Sequence, residues 1–315
     1  MRALLFDPQP IVRRDHPDPA PAVGESIVRV RLAGICGTDL ELARGYMSFR
    51  GVPGHEFVGE VVDTRSHSLM GKRVVGEINA GCGRCARCRE DLARHCPDRT
   101  VLGILGRDGA FAEYLRLPDE NLVALPDSIG DEAGVFVEPI AAIYEIFGQT
   151  GLGPGTKIAV LGDGRLGALA AIVLRAEGSA AVLGGHHRDK LDRLAGLGLE
   201  VQLEDHLRPG FDVVIDCTGR SAGLNRALTL VRPCGTVILK STAAAGTALN
   251  LAQAVVNEIT IQGSRCGRFA PAIAALAAGK IDPRPLISAI FPLDQAPAAL
   301  DAAGRPPNFK VLLKP

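Results

Sequence analysis

The chain has 315 residues, long enough for two domains, and it is 47% apolar and 22% charged. Lys plus Arg and Asp plus Glu both number 35, so no basic surplus favours nucleic acid or an anionic membrane as a partner. The N-terminus has no signal-peptide run, and no apolar run is long enough to span a bilayer. We therefore expect a cytoplasmic protein whose eight cysteines are metal ligands or buried thiols.

The first third of the chain is predicted to be rich in β-strands. It contains short runs of Val, Ile, Leu and Phe that are bounded by Gly, Pro and Asp, as is typical of strands. These runs are RALLFD, SIVRVRLAGIC, FVGEVV, KRVVGEI, GAFAEYLRLP and NLVALP. The pattern predicts a β-rich domain that extends to about residue 126.

Upstream of a cysteine-rich segment lies a sparse set of residues that are able to bind metal. Cys36 is followed by His55 and Glu56. A thiolate, an imidazole and a carboxylate, with room for a water molecule, make a catalytic zinc site that keeps one position open. A lone Cys or His is more often a core or surface residue, so the prediction depends on the three lying together.

The cysteine-rich segment covers residues 81–97. Cys82, Cys85, Cys88 and Cys96 have the spacing C-x2-C-x2-C-x7-C. Four thiolates at this spacing can surround one tetrahedral zinc ion at ~2.3 Å each. The segment is rich in Gly and Arg and has few periodic apolar residues, so a metal is needed to hold its shape. It predicts a structural zinc lobe; an iron–sulfur electron carrier is the alternative, because ferredoxins have similar cysteine runs.

After Pro139 the pattern changes to strands that alternate with helices. The helical AAIYEIFGQ precedes the strand TKIAVL, a glycine turn, a helix and a second strand. FDVVIDCTG and GTVILKS are further apolar strands, with the helical LNRALTLVRP between them. Such strands separated by helices predict a doubly wound α/β fold, with a parallel sheet covered on both faces. From about residue 264 a helix, a loop, a helix and a final strand, FKVLLK, are expected.

The glycine turn is a candidate dinucleotide site. Gly162-Asp163-Gly164-Arg165-Leu166-Gly167 fits the pattern G-x-G-x-x-G, follows a strand and opens a helix. The first glycine makes the turn, the second lets a pyrophosphate approach backbone N–H groups, and the third lets the helix pack on the strand. The alternative is a tight turn that binds no ligand.

The end of the second strand bears on the choice of cofactor. A carboxylate about 20 residues after the turn would bind the ribose 2′-hydroxyl of NAD. This strand ends instead in Gly185, His186, His187 and Arg188, and Asp189 comes slightly late. Basic groups suit a 2′-phosphate, so NADP is favoured over NAD, and Gly185→Asp is expected to shift the preference toward NAD. The alternative is a solvated loop in an enzyme that accepts either cofactor.

Taken in order, several short motifs resemble those of the zinc-containing medium-chain dehydrogenases/reductases, the group of alcohol, polyol and threonine dehydrogenases. They are G-I-C-G-T-D (34–39), G-H-E-F-V-G-E (54–60), the four-Cys lobe, D-G-A-F-A-E-Y (108–114), V-E-P (137–139), the glycine turn and K-V-L-L (310–313). The resemblance runs essentially end to end. It implies a GroES-like catalytic domain of residues 1–140 and 264–315, and a Rossmann NAD(P)-binding domain of residues 141–263.

The resemblance also implies roles for individual residues near the catalytic metal. Cys36 and His55 match zinc ligands, and Glu56 and Glu138 match the carboxylates of the polyol and threonine branch. Many alcohol dehydrogenases have Cys where this chain has Glu138, so the polyol-like branch is favoured. Which glutamate binds zinc directly stays open. Thr38 matches the hydroxyl that passes the substrate proton outward.

Three further residues are compared with the family. Asp39 resembles the carboxylate that orients the zinc-bound imidazole, with a turn-capping Asp as the alternative. Glu41 stands where many relatives have a relay histidine, and Leu166 would back the nicotinamide ring. The implied reaction is hydride transfer between an alcohol and NAD(P), in a dimer or tetramer that binds a small alcohol or aldehyde. A non-catalytic nucleotide-binding protein with structural zinc, or a zinc-free reductase, is the alternative.

Overall fold

The chain forms two compact units. The computed structural model describes residues 1–7, 9–153, 155–241 and 251–315. Unit 1 contains Met1–Glu138 and Ile273–Pro315, and unit 2 contains Pro139–Ala272. The chain therefore leaves the first unit, forms the second and returns to the first. The return falls at residue 273, within a helix, whereas the sequence suggested about 264; the domain boundaries themselves stay a prediction.

Strands dominate the N-terminal part of the chain, where short apolar runs predict them. In order, the elements are β1 (Ala3–Asp7), β2 (Gln9–Arg13), β3 (Glu25–Gly34), α1 (Gly37–Ala43), β4 (Glu56–Asp63), β5 (Arg73–Gly76), β6 (Asn79–Ala80), α2 (Ala86–Arg89), β7 (Thr100–Leu102), β8 (Gly106–Arg107), β9 (Tyr114–Pro118), β10 (Leu122–Ala124) and α3 (Asp131–Gly134).

Helices and strands alternate in the remainder. They are α4 (Val137–Thr150), β11 (Ile158–Leu161), α5 (Arg165–Ala176), β12 (Ala181–Gly185), α6 (Arg188–Gly196), β13 (Glu200–Leu203), β14 (Phe211–Asp216), α7 (Ser221–Leu230), β15 (Val231–Leu239), α8 (Leu251–Val256), β16 (Thr260–Gly263), α9 (Phe269–Ala277), β17 (Ile287–Pro292), α10 (Ala296–Ala303) and β18 (Lys310–Lys314). Among the described residues, no helix is long and apolar enough to cross a membrane.

Unit 2 contains a parallel sheet with the strand order β13-β12-β11-β14-β15-β16. The chain starts at β11 in the centre, builds outward to β13 and then builds outward on the other side. This is the doubly wound arrangement, and ligands bind at the carboxyl ends of its strands where the order reverses. The expected fold class is confirmed. β13 and β16 had no strong sequence signal because edge strands are half exposed and lack a continuous apolar run.

Unit 1 is built on a sheet with the order β10-β5-β4-β3-β18-β17, in which β9 also pairs with β3. The final strand, β18, lies between β3 and β17, so the last residues of the chain complete a sheet begun by the first ones. The expected loop between the last two helices is wrong in part, because β17 lies within it. β17 is an edge strand with a half-exposed pattern, which explains its weak signal.

Candidate active site

Antiparallel pairing brings Cys36, His55 and Glu56 together. β3 ends at Gly34, which pairs with Glu56 at the start of β4. The chain then turns, and Cys36 becomes the residue that precedes α1. The donor atoms of Cys36, His55 and Glu56 all lie within 4.8 Å of one another. The three residues that the sequence singled out therefore form one cluster, and both His55 and Glu56 are buried.

Asp39 links the two sides of this cluster. It is fully buried, and its Oδ2 accepts a hydrogen bond of 2.7 Å from the backbone N–H of Cys36. Its Oδ1 lies 3.3 Å from Nδ1 of His55, and neither of these two atoms has another hydrogen-bond partner. Asp39 thus caps the turn and also faces the imidazole, so it makes the contacts that both alternatives from the sequence require. Because Nδ1 faces Asp39, Nε2 is the nitrogen left for a metal.

The electrostatics of the cluster favour a thiolate. Burial raises the pKa of Cys36, but the charge and the hydrogen bond of His55 outweigh burial and lower that pKa to about 6. Burial lowers the pKa of His55, but the neighbouring Asp39 and Cys36 outweigh it and raise that pKa. Metal binding requires a deprotonated sulfur, so the protein already provides Cys36 in the form that a metal needs.

A buried lysine, not recognised from the sequence, completes the cluster. The ammonium group of Lys310, on β18, contacts Oε2 of Glu56, and both side chains are almost fully buried. Both side chains pack against Gly34. A Cβ added there would lie 2.6 Å from Oε2 of Glu56 and 2.8 Å from Cε of Lys310. In the sequence, Lys310 is simply a lysine at the start of an apolar strand. Such lysines are common and do not by themselves indicate a buried ion pair.

The other predicted catalytic residues have separate positions in unit 1. Thr38 lies in the first turn of α1, with Oγ1 3.9 Å from Sγ of Cys36. Glu138 lies in the first turn of α4 and is half-buried, and it is not a member of the three-residue cluster. Glu41 pairs with Arg44 at the surface, at 2.5 Å.

The four-Cys lobe brings all four thiols together. Their sulfur atoms lie within 4.8 Å of one another, and Sγ of Cys85 is 3.6 Å from that of Cys88 and 3.7 Å from that of Cys96. Four sulfurs at ~2.3 Å from one tetrahedral zinc would be ~3.8 Å apart. These separations are too long for a disulfide. The donor set and its spacing therefore fit one tetrahedral zinc ion.

Two thiols of the four-Cys lobe have pKa values that are shifted in opposite directions. Backbone N–H groups of Arg84 and Cys85 lower the pKa of Cys82 to about 6. Loss of solvent, together with the neighbouring thiol of Cys85, raises the pKa of Cys88 to about 12. Clustered thiolates repel one another, so a cation is what allows all four to be deprotonated at neutral pH.

The glycine turn in unit 2 has the geometry that a pyrophosphate requires. Gly162 has a φ of +106°, which a residue with a side chain rarely adopts. An added Cβ at Gly164 would meet nothing within 4 Å, so the backbone there is open to a ligand. An added Cβ at Gly167 would lie 1.9 Å from the carbonyl oxygen of Gly162, so α5 packs closely on the turn. Leu166 is half-buried on the same helix.

The predicted cofactor-discriminating segment faces this turn. Gly185 is buried at the end of β12, and His186, His187 and Arg188 are exposed after it. The carboxylate of Asp163 lies against Gly185 and binds the two histidines. Asp163 is not recognisable from the sequence as the ribose-binding acid, because that acid is expected after the second strand and Asp163 lies inside the turn.

Two family models match the chain. The model described as "Alcohol dehydrogenase GroES-like domain" covers residues 22–127, and the one described as "Zinc-binding dehydrogenase" covers residues 166–278. The first contains the Cys36 cluster and the four-Cys lobe. The second begins in the glycine turn.

Similar proteins match along most of the chain. An L-threonine 3-dehydrogenase of Chelativorans sp. is 31% identical over 78% of both chains, and a sorbitol dehydrogenase of Halalkalibacterium halodurans is 27% identical over 96% of this chain and 95% of its own. Alcohol dehydrogenase TADH from Thermus sp. ATN1 is 30% identical, with a TM-score of 0.92 and full coverage of both chains.

Two further solved structures contain a nicotinamide cofactor. A zinc-binding dehydrogenase of Sinorhizobium meliloti bound to NADP is 27% identical, with a TM-score of 0.88 over 100% of this chain and 99% of that chain. An alcohol dehydrogenase of E. coli CFT073 complexed with NADH is 25% identical, with a TM-score of 0.89 over the same shares.

The chain belongs to the zinc-containing medium-chain dehydrogenase/reductase family. It is a zinc-type, alcohol dehydrogenase-like oxidoreductase that uses a nicotinamide cofactor. The family and the type of enzyme that the sequence motifs predicted are therefore confirmed.

Proposed function

We propose that the protein interconverts a polyol, or a related hydroxyl-bearing acid or amino acid, with the matching carbonyl compound. The observation that carries this proposal is the cluster of Cys36, His55 and Glu56 with Asp39 buried behind it. Glutamates at positions 56 and 138, together with sorbitol and threonine dehydrogenases among the relatives, support the polyol-like branch.

We assign Cys36 and His55 as residues that would hold a catalytic zinc ion, with Glu56 or Glu138 as the third ligand and the fourth position left for water or substrate. Zinc, when bound, supplies a Lewis acid that lowers the pKa of the substrate alcohol. Asp39 holds the imidazole in one orientation. Lys310 contacts one of the two carboxylate oxygens of Glu56.

Thr38 is proposed to carry the substrate proton away from the site. Its hydroxyl lies next to Sγ of Cys36, and a hydroxyl can accept one proton while it donates another. Glu41 is proposed as the outer acceptor in place of a histidine. Its contact with Arg44 at the surface keeps a carboxylate near the end of α1.

Several further assignments are part of the same proposal. Cys82, Cys85, Cys88 and Cys96 hold a structural zinc ion, which their sulfur spacing supports.

The protein forms homo-oligomers through the edge strand β16 and the neighbouring α8. This assembly is supported by exposed apolar residues, namely Leu251, Val255, Val256 and Ile261. A cytoplasmic location and the division into a catalytic and a nucleotide-binding domain stay predictions.

The preference for NADP over NAD also stays a prediction. Arg188 supports it, because its side chain is exposed just beyond Gly185. Asp163 opposes it, because it brings a carboxylate to the same place.

The decisive experiment is a metal assay followed by a substrate panel. We expect about two zinc ions per purified chain, and turnover of polyols or hydroxy acids that depends on NAD or NADP. Cys36→Ser should lower turnover at least a hundredfold and remove one zinc ion. Cys234→Ser is the matched control, because Cys234 is an exposed thiol in unit 2.

Three outcomes are informative. Full activity and full zinc in Cys36→Ser would overturn the catalytic assignment. A strong preference for simple primary alcohols would overturn the substrate class and leave the reaction in place. Comparing zinc retention in Glu56→Ala and Glu138→Ala shows which carboxylate holds the metal, and the assignment of a carboxylate ligand is wrong if neither variant changes zinc affinity.

A further inference from the structure

Asp163 occupies the place that a strand-end carboxylate would take. It lies between the first two glycines of the turn, and an added Cβ at Gly185 would lie 2.5 Å from both Cβ and Oδ2 of Asp163. An aspartate at position 185 would have its own carboxylate at about this distance from its Cβ. The end of β12 therefore has a carboxylate beside it, although the strand itself contributes none.

The carboxylate is fixed and charged. Asp163 is only 6% exposed, and its Oδ2 accepts hydrogen bonds from the backbone N–H groups of His186 (2.7 Å) and His187 (2.8 Å). Nδ1 of His187 lies 3.0 Å from both carboxylate oxygens. Burial raises the pKa of Asp163, but hydrogen bonds from His187 and His186 outweigh it and lower that pKa. Asp163 is therefore ionised at neutral pH.

Two of the three basic groups that favoured NADP, His186 and His187, already have acidic partners. His187 pairs with Asp163, and Nε2 of His186 lies 3.3 Å from Oε2 of the buried Glu204. The backbone N–H groups of both histidines, which would suit a phosphate, are also taken by Asp163. A 2′-phosphate at the end of β12 would therefore lie beside a carboxylate.

We propose that Asp163 determines cofactor discrimination: it supplies from the glycine turn the carboxylate that selects NAD, accepting a hydrogen bond from the ribose 2′-hydroxyl and repelling the 2′-phosphate of NADP. A carboxylate oxygen has about two acceptor positions, and Nδ1 of His187 is the one donor named above for Oδ1, so a position remains on Oδ1. This role requires only that a nicotinamide dinucleotide binds at the turn, as in the proposed function. It opposes the preference for NADP predicted from the sequence.

Binding measurements test the role without turnover. Dissociation constants for NADH and NADPH are measured by fluorescence titration, and those for 5′-AMP and 2′,5′-ADP by calorimetry. We expect the wild type to bind NADH at least tenfold more tightly than NADPH. Asp163→Asn should shift this ratio at least tenfold toward NADPH, because it removes the charge and keeps an acceptor for the backbone N–H groups. Asp189→Asn, which removes an exposed charge from the same loop, should leave the ratio within twofold.

Salt dependence provides a test that needs no variant. Salt screens repulsion as well as attraction. If Asp163 dominates, raising the ionic strength should strengthen 2′,5′-ADP binding relative to 5′-AMP in the wild type. If the cations dominate, the relative affinity should fall.

Each result decides between clear alternatives. Tighter NADPH binding by the wild type, or equal shifts in Asp163→Asn and Asp189→Asn, would overturn the role of Asp163. Normal NADH binding with no polyol turnover would leave that role intact and overturn the proposed function. If none of the four ligands binds, the role of Asp163 and the proposed function are both overturned.

Discussion

Replacement of Lys310 by Met should show how strongly the buried ion pair stabilises unit 1. The side chains of Lys310 and Glu56 are 4% and 2% exposed, and Nζ lies 5.6 Å from the ring centroid of Phe136. Methionine keeps the apolar stem against Phe136 but removes the charge. Glu56 is then left as a buried, unpaired carboxylate, which destabilises a protein by about 3–5 kcal/mol.

The assay is thermal unfolding of the chelated and the zinc-loaded protein. For a unit of this size, 1 kcal/mol shifts Tm by about 2–4 °C, so Lys310→Met should unfold roughly 6–20 °C below the wild type when chelated. The loss should be smaller with zinc, because a divalent cation offers Glu56 another partner. Lys314→Met is the matched control, since Lys314 is exposed at the other end of β18, and it should change Tm by less than about 2 °C.

A double variant separates charge from packing. Glu56→Gln combined with Lys310→Met leaves no unpaired charge, so its chelated form should be more stable than Lys310→Met alone. Equal Tm values for Lys310→Met and Lys314→Met would refute this account of the pair.

The remaining predictions concern Gly34, Cys36 and the zinc lobe. Gly34→Ala should lower zinc occupancy and Tm, because its Cβ would lie 2.6 Å from Oε2 of Glu56, and normal zinc content by metal analysis would contradict this. In the chelated protein, alkylation of Cys36 by iodoacetamide, followed by peptide mass mapping, should be half-maximal at about pH 6, where its thiolate forms. An unperturbed thiol has a pKa of about 8.5. Cys96→Ser should release the structural zinc and expose the lobe to proteolysis before the rest of unit 1; an unchanged cleavage pattern would contradict the predicted role of the metal.

Sequence alone predicts those parts of the site that depend on local spacing. The four cysteines lie within one short segment, and the glycine turn is contiguous with its strand and helix, so each pattern can be recognised without the fold. Cys36 and His55 are farther apart, but both lie next to strands that pair as neighbours. Their proximity follows from one antiparallel register.

Contacts that depend on distant parts of the chain escape sequence analysis. Lys310 meets Glu56 across 254 residues, and an apolar strand headed by lysine gives no sign of its partner. Asp163 was visible in the turn, but its position against Gly185 depends on the parallel pairing of β11 with β12. The edge strands β16 and β17 were missed for a different reason: their half-exposed faces produce no continuous apolar run.

The insertion of β18 between β3 and β17 has a consequence for how the protein is made. Ribosomes add about 5–20 residues per second, so roughly 13–50 s pass between synthesis of Glu56 and that of Lys310, 254 residues later. During that interval β3 lacks β18, one of its neighbours in the sheet, and Glu56 lacks its cation. Unit 2 is synthesised before then, so it can fold first, and the sheet of unit 1 is completed only when the five residues of β18 have been added.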